Sequence, residues 1–151
     1  TKLKEGDKAP VFEGIDQDGK TVDLSDFAGK KLILFFYPKD MTPGCTAEAC
    51  NLRDNYKELR KLGFEIIGIS PDSISRHQKF IEKYELPFPL IADEEKKILN
   101  DYGVWGQKSM YGKSYMGVFR TTFVIDENGS ISKIFSKVKT NDHAAQILAE
   151  L

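Results

Sequence analysis

Cys45 and Cys50 are the only thiols in 151 residues, and they stand five positions apart in the stretch TPGCTAEAC. That step is wider than the redox pattern C-x-x-C, and two ligands cannot complete a tetrahedral zinc site. Cys45 follows an apolar run and a Pro-Gly step, so it falls at the first turn of a helix. Helix N-termini present unpaired N–H groups and a partial positive charge, which favour a thiolate over a thiol. Such placement lowers a cysteine pKa below its free value of ~8.5. Thr42, three residues earlier, is expected to aim a hydroxyl at the same point. Pro43 and Gly44 are expected to shape the pocket, Pro43 without adding a competing N–H donor. A thiolate held this way suits attack on a small electrophile.

Free cysteines are also among the most buried residues, and both could be small hydrophobes. The run Thr42-Pro43-Gly44 ahead of a helix start favours reaction for Cys45, and Cys50 follows as the one available second thiol. On an ideal helix, residues five apart are turned ~140° around the axis and lie ~7.5 Å along it, with Cα atoms ~8.7 Å apart. A disulfide needs Cα atoms within ~7 Å. If the two sulfurs bond, the first turn or two of the helix must unwind. The expectation is a helix that holds Cys45 reactive when reduced and opens once Cys45 is oxidised.

The elements that position these residues are readable from periodicity. VFEGI and TVDL flank a turn at Asp18-Gly19 and read as an N-terminal hairpin. KLILFFYP is an apolar run without alternation, as expected of a central strand covered on both faces. Helical spacing follows over residues 45–63, with Gly63 as the stop. FEIIGIS is a second buried strand, and residues 71–86 are a helix with Ser73 or Ser75 near its start. FPLIAD then reads as a strand, residues 94–103 as a helix closed by Gly103, and VWGQKSMYGKSYMG as a loop. Two strands, RTTFVID and ISKIFSK, surround a turn at Asn128-Gly129, and residues 141–151 form a last helix capped by Asn141 or Asp142. Buried strands alternating with helices predict one α/β domain over residues 1–151. The expected architecture is a thioredoxin-like sandwich whose central β-sheet is mixed because of the late hairpin.

Composition narrows the class of function. Lys and Arg number 22 and Asp and Glu 23, so the formal charge of −1 gives no basic footprint for nucleic acid. The longest apolar run, Leu32 to Tyr37, is far below the ~20 residues of a membrane span. No secretory signal is read near Thr1, a start consistent with removal of an initiator methionine, a tag or a targeting peptide. Two cysteines are not a disulfide scaffold, so a reducing compartment is expected.

The segment YPKDMTPGCTAEACNLRD resembles the active-site region of peroxiredoxins of the Q type, the bacterioferritin comigratory protein-like group. The resemblance runs nearly end to end through GDKAPVFEGIDQDGKTVDLSDFAGKK, FPLIADEEKKILNDYGV and RTTFVIDENGSISKI. It implies a thioredoxin-like fold and reduction of hydrogen peroxide and alkyl hydroperoxides without metal or prosthetic cofactor. Cys45 then resembles the peroxidatic cysteine, and Cys50 the resolving cysteine of an intramolecular redox disulfide. Thr42, Pro43 and Arg120 match the residues that shape the peroxide pocket. The implied partner is a dithiol reductant, thioredoxin or glutaredoxin. A monomer would suffice, and the implied compartment is the cytoplasm, with a plastid as the alternative after transit-peptide removal.

Other readings remain beside it. A general thiol–disulfide oxidoreductase would carry C-x-x-C, and a binding or holdase module of the same fold would survive loss of Cys45. Arg120 alone reads as a solvated strand-start charge, and only the family match draws it to the site. Glu48 steadies Arg120 or Arg53, or is an ordinary acidic residue near a helix N-terminus. His77 and His143 lie in amphipathic helices without a ligand cluster, so neither is expected to bind metal or act in catalysis. Trp105, Tyr111, Tyr115 and Phe119 line a pocket mouth, meet a partner, or pack over a sheet edge. Asp26, Lys30 and Lys31 read as solvated loop charges.

Overall fold

The computed structural model describes residues 1–151. The predicted N-terminal hairpin is present as β1 (Glu13–Ile15) and β2 (Thr21–Asp23), paired antiparallel. A short 3₁₀ turn over Leu24–Phe27 follows. It is closed by a reciprocal pair of caps, in which Asp23 accepts from Ser25 N and Asp26 accepts from Asp23 N. Asp26 is exposed, as a solvated charge should be, and serves as a capping residue as well.

The central sheet runs in the order β5 (Leu90–Ala92), β4 (Phe64–Ser70), β3 (Lys31–Phe36), β8 (Thr121–Ile125), β9 (Ile131–Phe135). β3, β4 and β5 are parallel, while β8 and β9 are antiparallel to their neighbours, which makes the sheet mixed as expected. Successive residues of β3 feed opposite cores. Leu32, Leu34 and Phe36 pack with Tyr102 and Phe123 on one face, and Ile33 and Phe35 pack with Ala49, Leu52 and Phe80 on the other. A strand buried on both sides has no polar alternation, hence the unbroken apolar run.

The second face is covered by α1 (Pro43–Asp54), α2 (Tyr56–Lys61), α3 (Ile74–Tyr84) and α5 (His143–Leu148). The single helix expected over residues 45–63 breaks at Asn55, whose side-chain amide donates to Asn51 O and so competes with the helical ladder. Ser73 is the N-cap of α3, accepting from Arg76 N. On the opposite face lies α4 (Lys97–Asp101). No helix is long and apolar enough to cross a membrane.

One expectation is overturned. The segment read as a loop is a second hairpin, β6 (Trp105–Met110) and β7 (Lys113–Val118), paired over six residues. Its turn is Tyr111-Gly112, with φ of 53° and 77°, the left-handed pair a two-residue hairpin turn requires. Most of its side chains face solvent, so no apolar alternation betrayed the strands. Trp105 packs against the core, whereas Tyr111, Tyr115 and Phe119 are exposed. Lys31 also departs from the loop reading, opening β3 with its ammonium 5.1 Å from the centre of the Phe64 ring.

Candidate active site

The site begins where β3 ends. Tyr37 OH donates to Asp40 Oδ1 at 2.6 Å, and the other Asp40 oxygen meets His77 Nδ1 at 2.6 Å. Asp40 N donates to Asp72 Oδ2, which also accepts from Ser70 Oγ, while Arg76 Nε donates to Asp72 Oδ1. Asp40, Asp72 and His77 come close enough to suggest a metal cluster, yet hydrogen bonds occupy all four carboxylate oxygens and both His77 nitrogens. The trio bolts the Tyr37–Asp40 turn to the ends of β3 and β4. No spacing in the sequence links residues 40, 72 and 77, which meet because adjacent strands end at the same edge.

Met41 then adopts a left-handed φ of 68°, turning the chain into the N-cap Thr42. Pro43 is the first residue of α1, where its missing N–H costs nothing. Cys45 is therefore the third helical residue, within the first turn as its spacing required. Its side chain is only 2% exposed and shares a helix face with Glu48, Ala49 and Leu52, the i, i+3, i+4, i+7 pattern of a buried stripe. The Thr42 hydroxyl donates to Lys39 O at 2.7 Å rather than to the sulfur. Its proton is thereby fixed, and its lone pairs are left to accept. Pro43 is exposed, at the rim of the site.

Arg120, 75 residues further on, ends at the same point. Its Nη2 donates to Cys45 Sγ at 3.3 Å and its Nη1 to Glu48 Oε1 at 2.7 Å. Burial works against its charge, but Cys45 and Glu48 outweigh that and raise its pKa, so the guanidinium is permanently charged. Glu48 thus steadies Arg120 and not Arg53, which pairs with Asp54. Sequence reasoning left this choice open because β8 brings Arg120 beside α1 only through the fold.

Gly44 owes its identity to this arginine. A Cβ there would lie 3.3 Å from Arg120 Nη2, while the backbone is not left-handed. Gly44→Ala is expected to raise the melting temperature, since alanine favours helix by up to ~1 kcal/mol. By shifting the guanidinium a few tenths of an ångström, it should slow the reaction of Cys45 about fivefold. Thermal unfolding and thiol oxidation kinetics on one sample check the opposite signs.

Cys50 lies on the same unbroken helix, half-buried, and both cysteines are free thiols. Burial raises the Cys50 pKa, opposed by Arg53, so it is a protonated thiol at neutral pH. Beside it, Asn51 joins α1 to α5, with its Oδ1 accepting from Ala144 N at 2.8 Å and its Nδ2 donating to Asn141 O. The N-terminal cap of α5 is thus supplied in part by another helix, and Asp142 makes no side-chain cap bond. Sequence rules look for a local cap and cannot see this one.

Residues 5–134 match the AhpC/TSA family. The chain is 50% identical to peroxiredoxin Bcp of Bacillus subtilis (strain 168), over 97% of this chain and 93% of that protein. It is 47% identical to peroxiredoxin Bcp of Escherichia coli (strain K12), over 97% and 94%. Among solved structures, peroxidoxin BcpB of Mycobacterium tuberculosis superposes with a TM-score of 0.86 at 37% identity, covering 98% of this chain and 96% of that one. A cysteine-to-serine variant of Xanthomonas campestris peroxiredoxin Q gives 0.86 at 36% identity, covering 91% and 88%. By these likenesses the chain belongs to the AhpC/TSA family as a peroxiredoxin of the Bcp type, a thiol-dependent peroxidase.

Proposed function

We propose that Cys45 is the peroxidatic cysteine, reducing hydrogen peroxide and organic hydroperoxides, and that Cys50 resolves it within the same chain. The observation that carries this is the Cys45 sulfur, buried in the first turn of α1 and held at 3.3 Å by Arg120, with the only other thiol five residues on. The Cys45 thiolate attacks one peroxide oxygen, forming the S–O bond as the O–O bond breaks. The second oxygen leaves with the electron pair as hydroxide or alkoxide and takes a proton from solvent. Thr42 accepts the peroxide O–H, while Arg120 and the α1 N–H groups stabilise the moving negative charge.

The sulfenic acid of Cys45 then condenses with the Cys50 thiol, forming S–S and releasing water. Since intact helix keeps the sulfurs too far apart, α1 unwinds locally for this step. A dithiol protein of the thioredoxin or glutaredoxin class attacks the disulfide, leaves as its own disulfide and restores both thiols. The protein works as a monomer in a reducing cytoplasm, or in a plastid if it was processed there. A chain with only two cysteines, both in one segment and too few for a disulfide scaffold, supports that reading. The Xanthomonas campestris bacterioferritin comigratory protein, a structural relative at 35% identity, is described for alkyl peroxide reduction, which supports the wider substrate class.

Rapid mixing of reduced protein with sub-stoichiometric hydrogen peroxide tests both thiols. Wild type is expected to lose two thiols per peroxide, and Cys50→Ser to lose one, consuming a single equivalent and accumulating sulfenic acid. Normal turnover of Cys50→Ser with thioredoxin would remove Cys50 from the mechanism.

A further inference from the structure

Behind Arg120 lies a second pair of buried titratable groups. Of the buried side-chain nitrogen and oxygen atoms, only Thr46 Oγ1 and Glu48 Oε2 lack a hydrogen-bond partner. The orphaned carboxyl oxygen faces His143 Nε2 at 3.7 Å, and both side chains are fully buried. The tautomer of His143 follows from its neighbours. Gln146 Oε1 accepts from Lys139 N and its Nε2 donates to Lys137 O, which fixes the orientation of the amide. His143 Nδ1, 2.9 Å from that oxygen, must then carry the hydrogen. In the neutral ring, Nε2 presents a lone pair, which takes the Thr122 hydroxyl at 2.8 Å.

Glu48 Oε2 and His143 Nε2 are thus two acceptors facing each other in a dry interior when the carboxyl is ionised. One added proton changes this: on Nε2 it makes the ring a donor to Glu48 Oε2 and Thr122 Oγ1, and on Oε2 it lets the carboxyl compete with the Thr122 hydroxyl for the single Nε2 lone pair. We infer that Glu48 and His143 hold one proton between them, and that this proton frees Arg120 to act on Cys45 and its peroxide. Without the proton, the cluster of Cys45 thiolate, Arg120 and Glu48 carries a net −1, and Glu48 competes with the sulfur for the guanidinium. With it, the cluster is neutral and the guanidinium charge falls to the sulfur. The charged and titratable groups facing the pair are Arg120, ahead of β8, and Cys45, on α1; Thr122 on β8 and Gln146 on α5 are neutral.

The titration of both groups fits. Burial raises the Glu48 carboxyl to about 7, although Arg120 pulls it down. Burial lowers His143 to about 4, opposed by the Gln146 bond and helped by Arg120. With the carboxyl pushed up and the ring pushed down, both shifts disfavour a charged ion pair across this contact. Glu48 and His143 are positioning residues, since they act through Arg120.

The inference rests on Cys45 and Arg120 being the reacting pair, and Glu48→Gln tests it. Glutamine keeps the acceptor for Arg120 and offers an N–H towards His143, so it mimics the protonated pair at every pH. The ratio of Glu48→Gln to wild-type rate constants for Cys45 oxidation is expected to rise from about one near pH 6 to several-fold near pH 8. A ratio that is flat with pH, whether one or below one, overturns the inference. The ring nitrogens of His143, followed by NMR over the same range, should shift with pH in wild type and stay constant in the variant. That readout needs no peroxide. A His143 signal blind to Glu48→Gln overturns the proton-sharing pair, whereas the expected signal beside a Cys45 inert to peroxide overturns the peroxidatic reading instead.

Discussion

Cys45→Ser is expected to lower peroxide consumption by about 10⁴-fold or more while leaving the fold intact. The chemical loss is that of the nucleophile: a serine hydroxyl stays protonated at neutral pH, and oxygen is the poorer attacking atom. The rest of the site survives the change. Serine is small enough for the pocket and can accept from Arg120, and the helix start is set by Thr42 and Pro43 rather than by the sulfur. Circular dichroism and the unfolding midpoint should therefore sit near wild type. A binding or holdase module would show the reverse, with its function unmoved by the substitution. Residual peroxide turnover within tenfold of wild type would reassign the chemistry to Cys50.

Arg120→Gln carries two effects that pull apart with pH. Removing one fixed donor from the charge-developing site should slow Cys45 oxidation by about 10²–10³-fold. It also leaves Glu48 buried without its cation, at a cost of about 3 kcal/mol in stability. The sign of the second effect follows from the carboxyl. Its folded-state pKa already lies near 7 and rises further once Arg120 is gone, so folding favours the protonated form. The stability is present below the unfolded value of ~4.3 and is lost as pH rises through the folded one. Arg120→Gln should thus be close to wild type near pH 5 and weakened near pH 8. Adding Glu48→Gln should restore stability at the higher pH without restoring the rate. Recovery of both would mean that Arg120 serves packing alone.

The architecture was legible where burial writes a pattern into the chain. β3 and β4 bury both faces and read as unbroken apolar runs, and the turns at Gly19, Gly63, Gly103 and Gly129 all take the left-handed backbone that only glycine adopts freely. The β6–β7 hairpin was hidden because its strands face solvent and its turn uses Tyr111 rather than asparagine or aspartate. The same divide holds at the site. Thr42, Pro43, Gly44, Cys45 and Cys50 are neighbours in sequence, so their chemistry could be read directly, whereas Arg120 needed a family resemblance. Glu48 with His143, Asn51 with Ala144, and Asp40 with His77 are contacts across 37 to 95 residues and obey no local rule. Neither histidine has candidate ligands near it in sequence, yet both are buried and hydrogen-bonded at each ring nitrogen.

The bolt at Asp40 and the Asn51 link to α5 together define a tether with fixed ends. Between them run residues 41–50, which hold both cysteines. As helix, residues 43–50 span about 12 Å, and drawn out they have a contour length of about 26 Å. If unwinding for the disulfide leaves both ends in place, some 14 Å of slack has nowhere to go but outward, because the sheet and helices behind it are close-packed. The disulfide would then ride on a bulge pushed towards solvent, where an incoming dithiol can reach it. Reduction would release a segment whose ends have stayed in register for the helix to re-form.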